Sequence, residues 1–76
     1  FNPQTRFQVT INTNGFAGLE VYDILGRRIE SLYHGWLNAG NHEFNWTAPA
    51  DLSSANYFLT LTTSSGKVVQ KVCLLR

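Results

Sequence analysis

His34 and His42 are the only imidazoles in the chain, and a zinc site built on them would need at least one further ligand converging with them. Asp23, Glu43 and Cys73 have the right chemistry for that role. None of them stands at a ligand spacing, so no metal site is expected. His42 shares an alternating face with Phe44 and Trp46, which reads as a packed side chain bonded to a loop carbonyl. A Cys–His or Ser–His nucleophile pair needs a base and an orienting group within hydrogen-bond reach. Cys73 lies in an apolar strand, where burial works against the reactive thiolate, and the plainer reading is a small apolar residue on a half-buried strand. Glu20, Glu30, Glu43, Asp23 and Asp51 occur singly, with no pair whose separation the sequence fixes for acid and base work. These patterns imply no catalytic residue, no metal and no cofactor, and the chain is not expected to be an enzyme.

Aromatic residues offer a different chemistry. Tyr33 and Trp36 lie near glycines, and with Trp46 they could form a platform for a sugar ring, as in small carbohydrate-binding β-sandwiches. In a short chain, aromatics also supply the core. Trp46 is assigned to the core, whereas Trp36, set between turn residues, suits either role. Arg27 and Arg28 form the one pair of adjacent cations, and with six basic and five acidic residues the net charge is +1. That balance leaves no electrostatic footprint for nucleic acid. A single cysteine excludes an internal disulfide. Asn45-Trp46-Thr47 matches a glycosylation sequon but falls on an expected strand and is discounted.

The elements that must position these residues are strands. At 76 residues there is room for one domain, which at this size buries only about 60% of the surface its unfolded chain exposes. Aromatic and β-branched residues with abundant Thr, Ser and Asn favour a sheet protein. No apolar run approaches the roughly 18–20 residues of a membrane span, so membrane insertion is not expected. The absence of Met suggests a fragment or a processed product. Phe7, Val9 and Ile11 alternate with Arg6, Gln8 and Thr10 over residues 5–12, the period of a half-buried strand. Asn14-Gly15 then predicts a hairpin-like return through positive φ angles.

Ala17, Leu19 and Val21 line one face of a second strand, and Asp23-Ile24-Leu25-Gly26 reads as a turn. A third strand, residues 27–33, breaks alternation at Ile29 and Leu32, which predicts a β-bulge or an early end. Trp36-Leu37 is expected as a separate short piece, followed by a turn at Asn38-Ala39-Gly40-Asn41. Phe44 and Trp46 face inward on the next strand, and residues 47–54 form the longest loop, suited to a crossing between sheets. Tyr57, Leu59 and Leu61 line another strand, and Ser64-Ser65-Gly66 is a hairpin loop. The last strand, residues 67–75, places Val68, Val72 and Leu74 on one face and Val69, Cys73 and Leu75 on the other. With both faces apolar, one should meet a partner or be covered within a sheet. Gly26 and Gly40 are expected at positions where φ above zero determines the residue. Six or seven strands at this turn spacing make an all-β antiparallel sandwich of immunoglobulin-like type.

The stretch Leu19-Glu20-Val21-Tyr22-Asp23-Ile24-Leu25-Gly26-Arg27 resembles the type IX secretion C-terminal sorting domains, and also the immunoglobulin-like domain of flagellar hook-capping proteins. Phe1-Asn2-Pro3-Gln4-Thr5 resembles the second half of the family's opening Pro-Asn-Pro-Phe-Asn-Pro segment, whose first half would lie upstream. Asn38-Ala39-Gly40-Asn41-His42 with Phe44 and Trp46, Leu52-Ser53-Ser54-Ala55-Asn56-Tyr57-Phe58, and Lys71-Val72-Cys73-Leu74-Leu75-Arg76 match later segments in order and spacing. Ala55 replaces a usual Gly, and Thr47-Ala48 a common Asp-Gly. The resemblance implies a seven-stranded sandwich spanning residues 1–76 that addresses a larger exported cargo. Such a cargo crosses the inner membrane by its own signal and is recognised in the periplasm by the outer-membrane translocon. A sortase often removes the domain, leaving the cargo secreted or on the cell surface of a Bacteroidetes-type bacterium.

The resemblance also makes Arg27 a turn-stabilising contact of Asp23. Residues Lys71 to Arg76, a cation-bracketed apolar strand, are the candidate surface for the translocon. An adhesion or sugar-binding module and a structural assembly domain are the alternatives.

Overall fold

The computed structural model describes residues 4–75. Its strands are β1 (Gln4–Ile11), β2 (Gly15–Tyr22), β3 (Arg28–Leu37), β4 (Gly40–Thr47), β5 (Ala55–Thr63) and β6 (Gly66–Leu74). β1 and β4 form a two-stranded sheet, and the other four form a sheet in the order β3-β2-β5-β6. All pairings are antiparallel. The result is an all-β sandwich with six strands among the described residues, where the resemblance implied seven.

Alternating apolar residues decide which faces meet. Ile11, Leu19, Val21, Trp46, Tyr57 and Leu59 are buried, and Phe7, Val9, Phe44 and Leu61 pack against them half-buried. Trp46 is fully enclosed and meets Tyr57 edge-on, with ring centroids 5.9 Å apart. Its indole N–H donates to Glu30 Oε1 at 3.1 Å, so its polar atom is satisfied inside the core.

The irregularity expected around Ile29 and Leu32 takes the form of two register shifts. Leu19 opposes Tyr33 but Glu20 opposes Ser31, and Val21 opposes Glu30 but Tyr22 opposes Arg28. Leu32 and Ile29 are the extra residues. Three positions apart, strict alternation would place them on opposite faces, and the two bulges let both pack against the Val21–Trp46 cluster. Carried through these shifts, β3 continues to Leu37, so Trp36-Leu37 is the end of that strand and not a separate piece.

A second correction concerns Asn14-Gly15. The chain does reverse there, but β1 pairs with β4 while β2 pairs with β3 and β5, so the return crosses to the other sheet instead of closing a hairpin. Neither residue has positive φ. Asn14 acts through its side chain, whose Oδ1 accepts a hydrogen bond from the Ala39 N–H at 2.6 Å and ties this crossing to the one between β3 and β4. The long loop after Thr47 carries the chain from β4 back to the larger sheet, as its irregular composition predicts.

Candidate functional site

Asp23 organises the turn between β2 and β3. Its Oδ1 accepts from the Leu25 and Arg27 backbone N–H groups at 2.9 Å each, and its Oδ2 accepts from Arg27 Nε at 2.8 Å. Backbone bonds from Asp23 N to Arg27 O and from Gly26 N to Asp23 O, each 3.0 Å, close the loop. The Arg27 backbone N–H, and then the Arg27 guanidinium, hold the Asp23 carboxyl below its ordinary range. Gly26 completes the turn at φ 83°. A comparable pair lies beside it: Arg28 donates to Glu20 Oε2 at 2.9 Å. The Arg28 bond, followed by the Tyr22 hydroxyl, lowers the Glu20 pKa, and Glu20 in turn raises that of Tyr22.

This locked turn displays two apolar side chains. Ile24 and Leu25 are 72% and 74% exposed, at positions where turns ordinarily carry polar residues. Around them the carboxylates are covered and the guanidinium groups project outward. The Asp23 side chain is 11% exposed against 73% for Arg27, and Glu20 25% against 63% for Arg28.

Register places the last strand at the same end of the larger sheet. Tyr22 opposes Phe58, and Phe58 opposes Lys71, so β2 and β6 are two strand spacings apart, about 10 Å. Beyond that row, β2 runs into the Asp23 turn and β6 into Val72–Leu75. Here the two faces of β6 divide. Leu74 is fully buried and Val72 packs half-buried against the core. Lys71 and Cys73 are exposed, and Leu75 is 61% exposed. The strand is half-buried as expected, but the burial expected of the Cys73 thiol is not found: Cys73 opposes Asn56 and is exposed on the outer face of the sheet, because the inner face is the one that carries Val72 and Leu74. Arg76 lies outside the described residues.

The remaining candidates separate. His34 is exposed on the outer face of the larger sheet, opposite Gly18. His42 lies in the smaller sheet, its Nε2 2.7 Å from the Asn38 carbonyl. Glu43 pairs with Arg6 at 3.8 Å. Among the described residues no three His, Cys, Asp or Glu side chains converge on a common point. Tyr33 and Trp36 do not share a platform. Tyr33 turns inward onto Phe44, centroids 5.6 Å apart, while Trp36 is 52% exposed and meets Phe16 edge-on at 5.4 Å. Three positions apart in one extended strand, they face opposite ways. Gly40 holds φ 135° at the start of β4.

Residues 2–74 match the family described as the secretion system C-terminal sorting domain. The chain belongs to this family. It is a type IX secretion sorting domain, and membership implies interaction with that secretion machinery and export to the exterior or the cell surface. Comparison with curated proteins finds no match. The sequence marks Ile24 and Leu25 only as turn residues. Two large apolar side chains inside an Asp-x-x-Gly turn are the signal that marks their exposure.

Proposed function

We propose that this sorting domain acts without catalysis, as an address that sends a cargo polypeptide from the periplasm through the outer-membrane translocon. The machinery reads one end of the larger sheet, where the Asp23–Arg27 turn and the last strand lie side by side. The observation that carries this reading is the exposure of Ile24 and Leu25 on a turn fixed by five hydrogen bonds, with Leu75 exposed at the same end of the sheet. Exposed apolar groups gathered at one place mark interaction sites, and pre-fixed ones lose little entropy on docking. β6 adds a second means of contact. Among the described residues it pairs only with β5, so its outer edge is open to a receptor strand by β-augmentation. The translocon and sortase are the partners of this reading, and upstream domains of the same polypeptide are the cargo.

The test is a periplasmic reporter ending in this domain, expressed in a type IX secreting host. Ile24→Ser with Leu25→Ser should reduce secretion at least tenfold while the domain stays protease-resistant. Lys71→Ser with Arg76→Ser should reduce it less, since charges at an interface steer encounter more than they add affinity. A wild-type reporter retained in the periplasm overturns the sorting function. Parental secretion of the folded Ile24/Leu25 variant overturns the assigned surface alone.

A further inference from the structure

Gly18 stands in the middle of β2, paired with His34 on one side and Thr62 on the other. Glycine there weakens a sheet, because it brings no side chain to pack and gives up more backbone entropy than other residues. Its own geometry does not ask for glycine. It has no positive φ, and an added Cβ would meet only His34 Cδ2 at 3.8 Å, an ordinary contact. A glycine in a central strand accompanies a bulge or a close approach; the neighbouring bulge inserts its extra residue, Leu32, into β3, and on β2 itself the glycine leaves the outer face open.

The missing side chain leaves a trough on the outer face of the larger sheet. Phe16 bounds it at one end and Glu20 with Arg28 at the other, and His34 and Thr62 form its sides. Beside Phe16, as its partner on β3, stands Trp36, with ring centroids 5.4 Å apart and the planes at 88°, extending the aromatic surface at that end. Trp36 is exposed yet restrained: its Nε1 donates to Asn38 Oδ1 at 2.8 Å, and its carbonyl accepts from the Tyr33 hydroxyl at 2.5 Å. Glu20 and Arg28 spend one oxygen and one nitrogen on each other. Most of the guanidinium donors stay open to a ligand, together with acceptor lone pairs on the carboxylate.

We infer that this trough is a carbohydrate site, taking one pyranose ring of a neutral glycan over Gly18. A sugar ring has an apolar C–H face and a rim of hydroxyls that both donate and accept. The trough matches it with aromatic surface at one end and mixed donors and acceptors at the other, about 13 Å apart along the strand from Phe16 to Glu20. A wholly apolar ligand would bury the Glu20–Arg28 end without partners, and an anionic one would meet the Glu20 carboxylate. The inference is independent of the sorting function.

The experiment titrates the 76-residue chain with mannan, laminarihexaose and cellohexaose, followed by calorimetry and by the fluorescence of Trp36, the exposed one of the two tryptophans. At least one probe should bind in the micromolar to millimolar range and shift that fluorescence. Gly18→Thr fills the trough with a residue that strands favour, so it should hold or raise Tm while weakening binding at least tenfold. Trp36→Ala should also weaken binding at least tenfold. Absence of binding by all three probes, or full binding by folded Gly18→Thr, overturns the inference.

Discussion

Gly26 and Gly40 should respond differently to the same pair of substitutions. At neither would an added Cβ meet another atom within 4 Å, so packing is removed from the comparison and only backbone conformation remains. Gly26, at φ 83°, lies beside the left-handed helical basin, which costs an ordinary L residue about 1–2 kcal/mol but which Asn visits readily. Gly40, at φ 135°, lies well outside that basin, in territory used almost only by glycine and costing others about 1–3 kcal/mol. In a domain this small each kcal/mol moves the midpoint by about 4–8 °C. Gly26→Val should therefore lower Tm by about 4–16 °C, and Gly26→Asn by only a few degrees. At Gly40, Asn should cost as much as Val. Thermal melts followed by far-ultraviolet circular dichroism and fitted as two-state transitions measure all four variants. Equal losses for Asn at the two sites, or an unchanged melt for Gly26→Val, would refute the conformational argument.

Trp46→Ala empties a fully enclosed site and should cost about 3–5 kcal/mol, comparable to the whole stability of a chain this size at about 0.05–0.15 kcal/mol per residue. Its amide NMR spectrum should lose dispersion at room temperature, and a dispersed spectrum would contradict the assigned core. Asp23, held by Arg27 below its ordinary pKa of 3.8, contributes stability that is present above that value and is lost as pH falls through the lower, folded one. The Tm gap between wild type and Asp23→Asn should be widest near neutrality and close in acid, and a gap constant with pH would count against the ionised turn.

The inward faces were legible in the sequence because one rule governs them. Phe7, Val9, Ile11, Leu19 and Val21 alternate, and burial follows alternation wherever one face of a strand is covered. Ile29 and Leu32 were legible as a disturbance, since a three-residue spacing cannot satisfy one face without an inserted residue. Pairing partners were less accessible. Asn14-Gly15 favours a reversal, but whether the returning strand bonds its predecessor or crosses to the other sheet depends on β4, which comes about 25 residues later in the chain and claims β1. The candidate site divides in the same way. Asp23, Gly26 and Arg27 announce a turn through local chemistry. The exposure of Ile24, Leu25 and Cys73 follows from which face of the larger sheet the smaller one covers, and that is a tertiary fact.

The aromatic end of the trough and the surface assigned to export lie at opposite ends of the larger sheet. Phe16 and Trp36 occupy the row at the start of β2, and Tyr22, Phe58 and Lys71 the row at its end, about 20 Å away along the strand. The outer face of the smaller sheet carries Arg6, Gln8, Thr10, Asn41, Glu43 and Asn45, and among the described residues its exposed positions are all polar. Partners of apolar or mixed chemistry therefore meet the larger sheet. Glu20 lies two residues short of Tyr22 and Arg28 opposes Tyr22 in that end row, so this bonded pair reaches from the trough to the row beside the Asp23 turn. Perturbations more than about 7–10 Å apart without shared partners act independently. Gly18 and Leu25 satisfy that condition, so glycan binding and export are separable at those residues, and any coupling between them must pass through the Glu20–Arg28 pair.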